Sequence, residues 1–192
     1  MARKVQKKLV VIGDGGCGKV RPRPRAELTA VFENYVELVA VDDRQVELSL
    51  WDTAGQEDFD RLRSLSYESS NIVMICFSVD MPTSLENVET KWIDEVRQFC
   101  PGVKVILTAC KCDLREDEQV AEKLGQRSQR PTSYDEGLAV AKRIKASRYL
   151  ECSAKENRGV QEAIEEGARV ALGSRARGGG GSLRRSSRCV IL

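Results

Sequence analysis

Seven residues, Gly13-Asp14-Gly15-Gly16-Cys17-Gly18-Lys19, carry the strongest chemical signal in the chain. They match G-x-x-x-x-G-K, a pattern whose close-set glycines let backbone N–H groups surround phosphate oxygens while the lysine adds charge at β- and γ-phosphates. A glycine-rich turn is by itself as often structural as functional. Asp52-Thr53-Ala54-Gly55-Gln56 adds a carboxylate for a metal ion, a glycine amide for a γ-phosphate and, in Gln56, an amide side chain able to orient an attacking water. Lys111-Cys112-Asp113 and Glu151-Cys152-Ser153-Ala154-Lys155 follow farther along. A single Lys-x-Asp triplet reads as a solvated loop, but four such groups in order, each behind an apolar run, are not coincidence.

The elements that must position these groups alternate along the chain. Lys8–Gly13, Tyr35–Val41, Val46–Trp51, Ile72–Val79, Val103–Cys110 and Tyr149–Cys152 read as strands. Ile72 to Phe77 and Val103 to Leu107 are apolar with little alternation, as in strands buried on both faces of a parallel sheet. The second and third strands, joined through Asp42-Asp43-Arg44, read as a hairpin. Leu85, Val88, Trp92, Val96 and Phe99 recur at helical spacing behind Thr83-Ser84-Leu85-Glu86, whose capping-box pattern predicts a helix start and makes Trp92 a core residue. Val160, Ile164, Ala168 and Ala171 form a similar stripe ahead of Gly173. Strand ends of such an α/β sheet build the ligand crevice, which is where the four groups fall.

A length of 192 residues suits one domain, and no apolar run reaches the ~20 residues of a membrane span. No apolar signal core follows Met1-Ala2-Arg3-Lys4. The seven cysteines form no small-domain disulfide framework, the chain has no histidine, and Cys110 with Cys112 cannot complete a tetrahedral zinc shell, so that pair reads as reduced core thiols. From Gly173 to Arg188 there are five arginines (175, 177, 184, 185 and 188) and no acid. That tail carries +5 against +2 for the whole chain, so the remainder sums to −3. Its arginines lack interleaved aromatics and lie beside Gly178–Gly181, which argues for an anionic membrane surface and against nucleic acid. Cys189-Val190-Ile191-Leu192 is a C-a-a-X prenylation signal whose terminal Leu favours geranylgeranyl, and the arginines supply the second signal that stable anchoring takes.

Val31-Phe32-Glu33-Asn34-Tyr35, together with Trp51-Asp52-Thr53-Ala54-Gly55-Gln56-Glu57-Asp58-Phe59-Asp60-Arg61-Leu62-Arg63, resembles the Rho branch of the Ras superfamily. The likeness covers nearly all of residues 5–172. Leu48 to Trp51, Arg63 to Tyr67, Lys111-Cys112-Asp113 and Tyr134 to Ala139 look most like the fungal Rho subtype of polarised growth and exocytosis. The resemblance implies a mostly parallel six-stranded sheet with helices on both faces. It divides the chain into a small GTPase domain over residues 1–172, with an extra, solvated helix near 115–130, and a flexible basic tail over 173–192. It implies GTP and GDP bound with Mg²⁺ by Gly13 to Lys19, Gly55, Lys111, Asp113, Ser153, Ala154 and Lys155. Asp113 would accept from the guanine ring, Lys111 would pack across it, and the Ala154 amide would meet its oxygen. Asp52 would reach Mg²⁺ through water and Gln56 would be catalytic. Val31 to Tyr35 and Gln56 to Tyr67 would face effectors. Implied partners are nucleotide exchange factors, GTPase-activating proteins, a dissociation inhibitor and effectors of actin organisation and secretion. The implied location is the cytoplasmic face of the plasma membrane, partly exchanging with the cytosol.

One stretch departs from that pattern. Val20 stands where a Ser or Thr would ligate Mg²⁺, and Ala30 where the switch threonine would. Between them, Arg21-Pro22-Arg23-Pro24-Arg25 removes amide donors and obstructs a helix, so the first helix is expected to be disrupted. Cys110 replaces an Asn that most of the superfamily carries. Two further readings follow: a prenylated pseudo-GTPase scaffold with impaired nucleotide and Mg²⁺ binding, or an exon boundary misread after Lys19, since Val codons begin with GT as most introns do.

Overall fold

The computed structural model describes residues 5–19 and 32–173. Val20–Ala30, Val31 and the tail with Cys189 lie outside the described residues, and so do the expectations placed on them.

The architecture is α/β, as expected. Six strands, β1 (Val5–Gly13), β2 (Phe32–Val41), β3 (Arg44–Thr53), β4 (Ile72–Ser78), β5 (Lys104–Cys110) and β6 (Arg148–Glu151), form one sheet in the order β2-β3-β1-β4-β5-β6. All pairings are parallel except β2 with β3. The tight turn of that hairpin is Asp42-Asp43, both at positive φ (47° and 60°), a conformation Asp tolerates and one that matches the twist of the flanking strands. Arg44, expected in the turn, is already in β3.

Alternation along β1 explains both cores. Val10 and Ile12 pack with Val73, Ile75, Phe77 and Leu107 against one helical layer, while Leu9 and Val11 face the other way with Leu48, Met74 and Ile106. The first layer holds Val88, Trp92 and Val96, followed by Val140 and Ala141 of α5 (Tyr134–Arg143) and by Ile144 at its C-cap. Ile164, Ala168 and Ala171 of α6 (Val160–Leu172) cover the second face among the described residues. All seven residues of β4 are buried, which is why that run shows no alternation.

Two helical expectations are corrected. The helix after β4 begins at Pro82 (α2, Pro82–Asn87) with no side-chain cap. Thr83, whose hydroxyl the capping pattern would use, lies inside that helix behind the Met81 N-cap, and Ser84 is buried, accepting from Ser78 N (2.9 Å) and donating to Met81 O (2.5 Å). A π-helical turn, Val88–Trp92, then precedes α3 (Ile93–Phe99). Its wider winding rotates the following turns, so Cys100 points inward and Phe99, expected in the core, is 46% exposed and stacks on Tyr67. The capping box is at α5, where Ser133 and Glu136 satisfy each other's backbone amides. In the 115–130 segment the helix is α4 (Glu118–Gly125), capped by Asp117. Arg115 is not a solvated charge there: it pairs with both carboxylate oxygens of Glu151 and donates to Thr132 O.

Candidate active site

β1 lies between β3 and β4 and is parallel to both, so the loops leaving β1, β3, β5 and β6 emerge at one edge of the sheet. The four chemically suggestive groups sit on these loops.

The turn after β1 depends on Gly13, at φ 141°, where a Cβ would lie 2.1 Å from Cys76 O. The chain then tightens through Cys17 N donating to Asp14 O (3.3 Å). Lys19 folds back across the loop, its Nζ 2.6 Å from both Gly13 O and Asp14 O. Cys17 is buried beneath, its thiol directed at Cys76 O, and burial pushes that thiol up to about 11 against the pull of Lys19. It is therefore protonated at neutral pH and inert as a nucleophile. The Asp14 carboxylate is anchored by Trp92 Nε1 and Asn87 Nδ2, each at 2.7 Å. Those two donors answer a negative charge inside a loop expected to hold phosphates.

β3 brings Asp52 level with Val11 of β1, and Thr53 Oγ1 donates to Val11 O (2.9 Å), fixing the strand end. One Asp52 carboxylate oxygen is sealed from solvent. Gly55 lies directly on the phosphate loop: a Cβ there would meet Gly13 O at 2.3 Å and Gly15 N at 2.5 Å. Only glycine permits that approach. The next residue, Gln56, is exposed, and its side chain reaches the space beside Gly15. Beyond it, α1 (Asp60–Ser66) turns Arg63, Ser66 and Tyr67 inward, so of the segment 56–67 expected at a partner surface these side chains are unavailable, while Leu62 and Leu65 are exposed. On β2, Asn34 is exposed and Tyr35 half-buried; Phe32 and Glu33 pair through their backbones with Thr53 and Asp52.

At the far end of the edge, Lys111 is in the left-handed region (φ 55°), its stem beside Gly18 and its Nζ 3.3 Å from Asp80. Cys110 packs under Gly18, where a Cβ would lie 3.2 Å from its own, so the loops meet by contact rather than through an amide. Hydrogen bonding to Cys152 draws the Cys110 thiol down, but its bond to Cys76 and burial outweigh this and hold it well above the ordinary thiol range. Asp113 carries a buried carboxylate oxygen that has no hydrogen-bond donor. Cys112 N donates to Cys152 O and Cys152 N to Ala109 O, tying this loop to the next. There Ser153, fully buried, exchanges backbone bonds with Arg158 and accepts Glu156 N on its hydroxyl (3.1 Å), shaping the turn that carries Ala154 and the exposed Lys155.

Sequence reasoning missed the supports of this edge: Asn87 and Trp92 beneath Asp14, Asp80 beside Lys111, and Arg63 on the Ala54 carbonyl. Contacts spanning 73 and 78 residues leave no local pattern. For a metal, the described residues bring together no group of three or more His, Cys, Asp or Glu. A magnesium ion held by phosphates, waters and one carboxylate needs no such cage, and Asp52 fits that donor set; Val20 and Ala30 offer it no hydroxyl.

Comparison with known proteins agrees with this arrangement. The Ras family profile matches residues 8–172. The chain is 56% identical over 189 residues to the GTP-binding protein Rho3 of Schizophyllum commune, covering 94% of this chain and 92% of that protein. It is 51% identical over 180 residues to the GTP-binding protein rho1 of Schizosaccharomyces pombe, covering 90% and 89%. It is 52% identical over 179 residues to the human Rho-related GTP-binding protein RhoB, covering 89% and 91%. With a sheet of this order, a phosphate-loop turn on β1 and this identity along nearly its whole length, the chain belongs to the Rho branch of the Ras family of small GTPases.

Proposed function

We propose that the chain is a membrane-anchored Rho-type switch that binds GTP and GDP, hydrolyses GTP slowly and signals to actin organisation, cell polarity and exocytosis. The observation that supports it best is the buried Asp113 oxygen without a donor, beside Lys111 and one loop away from the Ala154 amide. A buried carboxylate oxygen left unbonded is costly, and the ring N–H and amino group of guanine would satisfy it. Adenine presents an acceptor and no amino group at that edge, so the same oxygen rejects it. Lys111 packs over the base, held in place by Asp80.

Along the phosphate loop, the amides from Gly13 to Gly18 receive the phosphates. Lys19 Nζ, which bonds two loop carbonyls, exchanges them for phosphate oxygens. The Gly55 amide faces the γ-phosphate and Gln56 orients the attacking water from its exposed position beside Gly15. Magnesium, when bound, neutralises charge developing on the phosphates, and Asp52 would hold one of its waters. Asn34 and Tyr35, with Leu62 and Leu65, present the surface for effectors and regulators. The prenyl group on Cys189 and the five tail arginines carry the domain to the cytoplasmic face of the plasma membrane.

The pseudo-GTPase reading draws on Val20 and Ala30, which remove two hydroxyl ligands. Titrating the full chain with fluorescent GDP, with and without Mg²⁺, separates the two. Tight, Mg²⁺-responsive binding supports the switch, and micromolar or weaker binding without a Mg²⁺ response supports the scaffold.

A further inference from the structure

Arg63 is a full cation at 0% exposure on a helix next to the candidate site. Its guanidinium is used on every side. Nε and Nη2 reach the two oxygens of Glu95 (2.6 and 2.9 Å), Nη2 also reaches Asp60 (2.5 Å), and Nη1 donates to the Ala54 carbonyl (2.9 Å). Its plane lies over the Trp92 ring, 4.8 Å from the centroid. Glu95 is fixed in turn by the Tyr67 hydroxyl (2.6 Å). Trp92 passes the connection on, since its Nε1 bonds Asp14 in the phosphate loop. A continuous line of contacts therefore runs Ala54, Arg63, Trp92, Asp14, and it closes into a ring where Gly55 touches the backbone of Gly13 and Gly15.

Burying a guanidinium carries a desolvation cost that salt bridges often fail to recover, so its place in the structure calls for a role beyond stability. The one neutral acceptor it takes is the carbonyl directly before Gly55-Gln56. Only a planar, multi-donor cation spans Glu95, Asp60 and that carbonyl together; a lysine ammonium is a point charge on a flexible stem.

We propose that Arg63 is a positioning residue for hydrolysis, holding the Ala54 carbonyl so that Gly55 and Gln56 keep a fixed setting against the phosphate loop. This rests on the reading of Gln56 as the residue that orients water. It assigns Arg63 no contact with nucleotide, so binding and chemistry should separate when it is changed.

The test compares the full chain with Arg63→Lys and with Arg63→Gln/Glu95→Gln, the latter removing the guanidinium without stranding a buried carboxylate. Amide hydrogen exchange is read by mass spectrometry, and GTP hydrolysis in single turnovers. The expected result is exchange on the order of tenfold faster at residues 53–56 and 13–16, with β4 and β5 unchanged. Hydrolysis should fall on the order of 10- to 100-fold while GDP affinity moves by no more than about threefold, with Lys recovering only part. Unchanged exchange at 53–56 in a folded variant, or full restoration by Lys, overturns the proposal. If the parent chain itself fails to hydrolyse GTP, the functional reading fails, and the exchange data still decide whether Arg63 holds the loop. Should the double variant not fold, Arg63→Lys carries the same exchange readout.

Discussion

At the scale of single residues the site works by answering each buried polar group except where a ligand is expected. Asp14 has Trp92 and Asn87, Lys19 has two carbonyls and Arg63 has four oxygens, whereas one oxygen of Asp113 has none. Gln56 differs in having an exposed side chain, so Gln56→Leu should slow single-turnover GTP hydrolysis on the order of 100-fold while leaving GDP affinity unchanged. Equal hydrolysis in variant and parent would remove Gln56 from the chemistry. Cys17 yields a pH prediction. Burial raises its thiol from 9.0 to about 11, so the folded chain holds that proton more tightly than the unfolded chain does. The resulting stability is complete below pH 9 and is lost as pH rises to 11, an effect of about 2–3 kcal/mol. Urea unfolding across pH 8–11 should show this decline, and Cys17→Ala should make it shallower; identical slopes would contradict it.

At the scale of elements, the strands were legible because burial dictates their composition: Ile72 to Phe77 of β4 and Val105 to Leu107 of β5 are unbroken apolar runs, and the hairpin is marked by Asp42-Asp43. Helix phase was less legible. The stripe through Val96 predicted Phe99 inward, but the π turn at Val88–Trp92 is a winding that sequence periodicity does not reveal. Thr83-Ser84-Leu85-Glu86 has the spacing of a capping box, but α2 already starts at Pro82 behind Met81, which puts Thr83 inside the helix, whereas Ser133 stands at the N-cap of α5 with Glu136 three residues on. The phosphate loop was legible because backbone geometry demands glycine; Trp92 was legible as core but not as a donor to Asp14, nor Arg63 as a partner of Glu95, since those contacts span 78 and 32 residues. Ser133→Ala should lower stability by about 0.5–2 kcal/mol in urea titrations without changing nucleotide affinity, because the Ser133 hydroxyl bonds Glu136 within the helix start and no residue of the candidate site. No loss would show that Glu136, which also pairs with Arg130, holds the helix start by itself.

At the scale of the whole molecule, charge and chemistry are divided. Residues outside the tail sum to −3, while the tail carries +5 and the C-a-a-X cysteine. No helix among the described residues is long and apolar enough to cross a membrane, and the anchor proposed above is the lipid on Cys189 with the tail arginines. Cys189→Ser should therefore move the protein from the membrane to the soluble fraction on cell fractionation. Unmodified Cys189 in intact protein recovered from membranes would refute the anchor. The central claim, however, is that the edge built by β1, β3, β5 and β6 selects a guanine nucleotide. Competition against bound fluorescent GDP tests it most directly, using unlabelled GDP and ADP on the full chain and on Asp113→Asn. GDP should displace the probe at least about 100-fold more effectively than ADP, and Asp113→Asn should erase most of that margin, since two charge-assisted hydrogen bonds are lost. Equal displacement by ADP and GDP, or a margin that survives Asp113→Asn, would contradict it.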